Sequence, residues 1–353
     1  MQNPFTTTFS KAPEYTYIAT DEISEILENL SYDRPSESVY KITGVRGSGK
    51  TVILAKLEAE LRERKNWIVC DLNPNRDLLH QLAAILHKEG YGENDTKSKN
   101  LNISANVLGT GGSIGFGTET ENPYFDIGVE LDAMIQAAAK DSRKIFVGID
   151  EVSKTAAMIE FAAELGKWVR ADFPVYLVCT GLYENIQEVS NVKNLTFFRR
   201  ATTIKTGPLN TVRMTEMYKN VLSIDTEEAK AMALCTKGYA FAFQQLGVLY
   251  FKRKPSEKLP DVLPALQTEL FAYSYEKIWE ELTENERLFL HLLKEQKEYK
   301  REELLKLMGD RQGSYSVYRD RLIKKGIINV RQGYISLALP YFTEYIKEYW
   351  YSN

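Results

Sequence analysis

The chain has 353 residues, enough for two or three domains with their own cores, and its apolar and charged contents are ordinary for a globular protein. A formal net charge of −3 excludes a polycation that binds nucleic acid over its whole surface, so any such face must be local. Three dispersed cysteines (Cys70, Cys179, Cys235) predict reduced thiols in a cytoplasmic protein, and with no leader or apolar span in the sequence no membrane partner is expected. His80, His87 and His291 have no metal-ligand spacing.

In chain order, Asp21 to Leu30 carries Ile23, Ile26, Leu27 and Leu30 at helical spacing. Ser38 to Thr43 reads as a strand. The run Gly44-Val45-Arg46-Gly47-Ser48-Gly49-Lys50-Thr51 follows and matches G-x-x-x-x-G-K-[ST] at every fixed position. Its glycines let successive N–H groups curl around phosphates, Lys50 reaches the β- and γ-phosphates, and the Thr51 hydroxyl holds Mg²⁺. Val52 opens a helical pattern running to Leu61, so the loop meets a helix N-terminus, where anions bind. Gly44 through Val52 are therefore the expected ATP-binding residues, with ATP and Mg²⁺ as cofactors.

Trp67 to Leu72 reads as a buried strand and Leu78 to Lys88 as a helix. Alternation from Leu101, with glycines at 109, 111 and 112, predicts a β-hairpin inserted near 100–120, either a surface insertion or a contact to a neighbour or DNA. A helix over Phe125 to Lys140 precedes Lys144 to Ile149, apolar enough to be buried on both faces, which ends in Asp150-Glu151. Acids at the carboxyl edge of a parallel sheet sit where α/β ligands bind. Asp150 suits Mg²⁺ through water, and Glu151 suits orienting an attacking water. A helix over Ser153 to Ala171 leads to the strand Phe173 to Cys179, whose tip residue Thr180 is placed to sense the γ-phosphate or that water. Arg199 and Arg200, just before the strand Ala201 to Lys205, are expected either to supply an arginine finger or to form a basic turn held by local acids.

Beyond Gly207-Pro208 the pattern becomes helical: Val212 to Val221, Thr226 to Thr236, Phe241 to Phe251, and Leu263 to Leu282. At Thr283 a capping box, Thr283 to Glu286, opens a distinct segment of three helices and a hairpin turning at Arg331-Gln332-Gly333, the pattern of a winged helix. This segment carries thirteen Lys/Arg against ten Asp/Glu. Arg311, Tyr315, Ser316, Arg319, Lys324 and Arg331 are expected to face outward and contact double-stranded DNA, a protein partner being the alternative.

On Gly44 to Thr51, Ile145 to Glu151, Thr180, Arg199-Arg200 and Gly238-Tyr239-Ala240, the chain resembles AAA+ ATPases over roughly residues 1 to 280. More narrowly it is similar to proteins between origin-recognition-type initiators and STAND signalling ATPases. The resemblance implies an α/β P-loop NTPase parallel sheet with helices on both faces, over residues 1–208. It also implies a helical lid over 209–282 and a winged helix over 283–353, with the Thr180 strand lying between the strands that carry Lys50 and Asp150. It implies ATP hydrolysis at the interface of an ATP-dependent homo-oligomer, with Arg199 or Arg200 as the finger. The chain departs from initiators in lacking a lid arginine within Gly238-Tyr239-Ala240-Phe241, and from relatives in lacking a Gly-Arg pair before its first helix. The expected function is an ATPase switch that engages DNA, with a signalling ATPase that holds a protein partner as the alternative.

Overall fold

The structure, a computed structural model, describes residues 3–8, 12–92, 126–295 and 298–350. The hairpin expected near 100–120 lies outside the described residues. Five strands form one parallel sheet: β1 (Val39–Thr43), β2 (Trp67–Leu72), β3 (Lys144–Ile149), β4 (Val175–Gly181) and β5 (Thr202–Lys205), in the order β2-β3-β4-β1-β5. The Thr180 strand thus lies between β3 and β1, as the resemblance implied. β4 is buried at every position and β3 at all but its first, as their unbroken apolar runs predicted.

The chain divides into two compact units. One comprises Tyr32–Lys41 and Leu57–Thr202. In it β2, β3 and β4 pair in parallel, with Ile149 opposite Cys179 at the carboxyl edge. Side-chain caps start its helices: Asp77 accepts from the His80 N–H at 3.0 Å, Asp126 from Gly128 and Val129, and Thr155 from Met158. Ile135, Phe161, Leu165, Trp168 and Phe198 close an apolar core around the strands. Lys41 is buried among them. Its Nζ donates to the Phe198 carbonyl at 2.7 Å, tying β1 to the short helix Thr196–Arg200.

The other unit comprises Met1–Ser31, Ile42–Lys56 and Thr203–Asn353. Its helices include Thr211–Leu222, Thr226–Cys235, Ala240–Lys252 and Leu259–Leu270, the last continuing through a π-helical turn, Phe271–Tyr275, into Glu276–Glu280. The sequence predicted one helix from Leu263 to Leu282. Instead this helix starts at Leu259, with Pro260 in its first turn, where a missing N–H costs nothing, and the π turn interrupts it. The capping box at Thr283 forms as expected, with the Thr283 N–H donating to Glu286 Oε2 at 2.9 Å. After it come helices Glu284–His291, Arg301–Met308 and Tyr315–Lys325, and an antiparallel sheet of β6 (Tyr299–Lys300), β7 (Ile328–Arg331) and β8 (Tyr334–Leu337), in the order β6-β8-β7. Gln332 and Gly333 both take left-handed φ, 51° and 83°, which joins β7 to β8 by a two-residue turn matched to strand twist. A final helix, Phe342–Trp350, was not anticipated. One continuous core runs from Met214, Phe243 and Leu266 to Phe289, Leu322 and Phe342. The helices after 209 and the C-terminal segment are therefore packed as a single body, not as a core and an appended module.

Candidate functional site

The loop Gly44–Thr51 leaves β1 and opens the helix Lys50–Arg62. Gly47 and Gly49 hold φ of 76° and 93°, open to glycine at little steric cost. At Gly44 an added Cβ would lie 1.9 Å from Thr206 Oγ1. That hydroxyl lies 2.7 Å from Ser48 Oγ, so a strand-end threonine braces the loop. The Ser48 N–H closes a turn onto the Val45 carbonyl at 3.2 Å. Lys50 Nζ donates to the carbonyls of Gly44 and Val45 at 3.0 and 3.1 Å, so the ammonium is held over the loop by the loop's own backbone. Gly44 and Gly47 let Thr206 and Tyr239 pack against the loop backbone, and the loop runs into a helix N-terminus beside the Lys50 ammonium. That donor set fits a polyphosphate. Among the described residues no cluster of three or more His, Cys, Asp or Glu is arranged to hold a metal; Mg²⁺ on a nucleotide takes phosphate oxygens with only one or two protein ligands.

In the other unit the expected acids meet Thr180. Its hydroxyl, wholly buried, donates to Asp150 Oδ1, and accepts the N–H of Glu151 at 3.1 Å. The Val152 N–H donates to the Thr180 carbonyl at 2.8 Å. Glu151 takes a left-handed φ of 54°, costly for a residue with a side chain and maintained here by that knot. Thr180 therefore fixes the directions of both acids. Behind them the buried Glu58 carboxyl is pushed up to about 7, by burial first and by the charges of Asp71 and Asp150 next, while Arg62 draws it down through a hydrogen bond at 3.2 Å. Arg199 and Arg200 end the short helix that Lys41 holds; both are exposed, and among the described residues neither has an acidic partner within ion-pair distance. Burial lowers the Lys41 ammonium below its ordinary value.

The residues expected to meet DNA separate. Arg311, Ser316, Lys324 and Arg331 are exposed. Arg319 pairs with Asp320 at 2.7 Å. Tyr315 was expected to face outward, but it is 3% exposed and packs on Phe289 with ring centroids 6.0 Å apart. The first turn of its helix points into the core because Leu322, seven residues on, lies on the same buried face.

Sequence reasoning passed over Lys41, Thr206 and the Tyr239 hydroxyl. A lysine inside the apolar strand Val39–Thr43 was the one visible anomaly of the three.

The model of the KAP family P-loop domain matches residues 18–164, and a family described as a domain of unknown function (DUF8462) matches residues 272–346. Among solved structures, the Walker-type ATPase of Pyrococcus abyssi is similar with a TM-score of 0.62 and 12% identity, over 93% of this chain and 95% of that one. The ORC2 protein of Aeropyrum pernix in its ADPNP-ADP complexes gives a TM-score of 0.55 and 12% identity, over 98% of each chain, and its ADP form gives 0.50 and 13%, over 97% and 96%. No curated protein matches. Among the described residues no helix is long and apolar enough to cross a membrane. From its phosphate loop, its strand order and these likenesses, the chain has the fold of P-loop ATPases.

Proposed function

We propose that the chain is an ATP-driven switch that binds ATP at Gly44–Thr51 and hydrolyses it slowly. Lys50 would neutralise the β- and γ-phosphates, the Thr51 hydroxyl would hold Mg²⁺, and Asp150 suits binding that ion through water. The metal, when bound, offsets charge on the phosphate oxygens. Glu151 orients the attacking water and Thr180 holds Glu151 and Asp150 in place. Arg199 or Arg200 acts as a finger on the nucleotide of a second copy in an ATP-dependent homo-oligomer; their exposure supports that reading. The buried free thiols Cys70 and Cys179 support a cytoplasmic protein. The observation that carries the proposal is the left-handed Glu151, held through its N–H by the same hydroxyl that engages Asp150.

The test is single-turnover hydrolysis beside nucleotide binding. Lys50→Ala should bind no ATP, whereas Glu151→Gln should bind it and lower the hydrolysis rate by about 10²-fold or more. Wild-type rates in both variants would overturn the assignment.

For the C-terminal segment, read as a winged helix, the exposed Arg311, Ser316, Lys324 and Arg331 support contact with duplex DNA, with Arg319 contributing when released from Asp320. One observation favours a protein partner instead: Leu307, Val317 and Val330, on the same helices and strand, are about half exposed, at 54%, 49% and 45%. The salt dependence of duplex binding separates the readings. A DNA-binding segment loses affinity steeply with salt, and a protein-binding one has no duplex affinity to lose.

A further inference from the structure

We propose that Tyr239 is a positioning residue of the phosphate loop, and that the π-helical turn Phe271–Tyr275 behind it passes the loop's state to the C-terminal helix Phe342–Trp350. The proposal rests on the reading that Gly44–Thr51 binds nucleotide.

The backbone before Tyr239 is built to deliver it. Lys237 and Gly238 are both left-handed, with φ of 49° and 77°, and a Cβ on Gly238 would come within 2.7 Å of Pro208 Cβ and 2.9 Å of the Leu209 carbonyl. The turn sends the Tyr239 side chain into the interior, where it is 5% exposed. Its hydroxyl donates to the Arg46 carbonyl at 2.6 Å, and two residues on the Phe241 N–H donates to the Gly47 carbonyl at 3.1 Å. Two consecutive carbonyls of the loop are thereby held from one side. In a trans peptide the C=O and the following N–H point in opposite directions. Fixing the carbonyl of Arg46 therefore aims the N–H of Gly47 the other way, as a phosphate cradle needs, and fixing that of Gly47 turns the Ser48 N–H toward the Val45 carbonyl, 3.2 Å away. The fit is close. A Cβ on Gly47 would lie 2.3 Å from the Tyr239 oxygen, so this glycine serves the tyrosine as well as the turn.

A phenol has one proton to give. Since Tyr239 spends it on Arg46, the Ser274 hydroxyl, 2.5 Å away, is the donor to Tyr239, and the chain runs in one direction from Ser274 through Tyr239 to the loop. Ser274 sits in the π-helical turn, where one extra residue per turn rotates the helix register. The next residue of that turn, Tyr275, touches both sides, its ring stacked on that of Tyr239 with centroids 6.4 Å apart. The Tyr275 hydroxyl donates to the Pro340 carbonyl, and its ring lies 5.0 Å from Phe342 and 5.8 Å from Tyr345, centroid to centroid. Adjacent residues of one irregular turn thus hold the loop and the last helix. A parallel brace runs from the Arg46 guanidinium to Glu281 at 3.0 Å, and from the Glu281 carbonyl to Lys325 Nζ at 3.3 Å. Lys325 in turn pairs with the buried Glu286 at 2.9 Å. A loop that shifts its peptides on binding phosphate must move or break the Tyr239 bond, and the π turn follows.

The test uses the full chain, Mg²⁺ and ADP, with calorimetry for affinity and hydrogen exchange for the segments around 271–280 and 340–350. Wild type should bind ADP and change its exchange at both segments. Tyr239→Phe keeps the ring and removes the hydroxyl. It should melt close to wild type, weaken ADP about five- to tenfold, and lose the nucleotide-dependent change at 340–350. Ser274→Ala should cost about threefold or less in affinity and lose the same change. Wild-type affinity together with an intact exchange response in Tyr239→Phe would overturn the proposal. A wild-type chain that binds no ADP would overturn the nucleotide reading and this inference with it.

Discussion

The phosphate loop Gly44–Thr51 and the helix Tyr315–Lys325 are both short stretches that the sequence marks for contact with phosphate, and the structure treats them differently. The loop offers backbone. Its glycines fix where each peptide points, so the residue pattern alone implies the geometry, and the left-handed φ at Gly47 and Gly49 follows. The helix offers side chains, and which of them face out depends on the surface that the helix packs against. That surface turned out to be the core shared with the helices after 209, so Tyr315 faces in, Lys325 is drawn to Glu286, and Arg319 is held by Asp320. A motif carried by the main chain survives ignorance of tertiary structure; one carried by a helix face does not.

The sharpest way to break this contrast is Tyr315→Ala. A buried aromatic removed from beside Phe289 should cost about 3 kcal/mol in denaturant unfolding, with any change in duplex binding following from that loss. A variant of unchanged stability with impaired duplex binding would restore the outward reading. Gly47→Ala should come next, because an alanine at that φ pays about 1–2 kcal/mol and its methyl group meets the Tyr239 oxygen. Nucleotide binding should fall with it, and an alanine variant binding ADP as wild type does would show that the loop's backbone is not the determinant. Smaller still is Glu58→Gln. The native state holds its proton up to about pH 7, whereas the unfolded chain releases it near the ordinary carboxylate value, so this group's contribution is present in full at low pH and is lost as pH rises through 7. The glutamine variant should match wild type near about pH 4 and exceed it by about 1–2 kcal/mol near about pH 8, read from urea unfolding at the two pH values. Charge reversal at the exposed Lys324 and Arg331 should leave stability within about 0.5 kcal/mol while flattening the salt dependence of duplex binding. Unchanged duplex affinity and salt slope would favour the protein-partner reading.

Much of the first half of the fold was legible because each strand is either a continuous apolar run or abuts a motif. β3 and β4 could be read directly, and the place of β4 between β3 and β1 came with the family resemblance. The Asp150-Glu151 pair was equally visible; the left-handed φ of Glu151 and the direction that Thr180 gives it were not, since they come from a hydrogen bond across neighbouring strands. What escaped was set by tertiary packing. Two residues of β6 are too short to show a period. The π-helical turn at Phe271–Tyr275 has no residue signature of its own, and Phe342–Trp350 is stabilised by Tyr275 and Trp279 from outside the helix. Lys41 was the readable exception: a lysine within an apolar strand needs a buried acceptor, and the carbonyl of Phe198 supplies it.

Titration calorimetry of the wild-type chain and Lys50→Ala with Mg²⁺ and ATP tests the central claim most directly. Saturable binding of about one nucleotide per chain, lost in the variant while its melting temperature stays near that of wild type, is the predicted result. Equal binding by both chains, or none by the wild type, would contradict it.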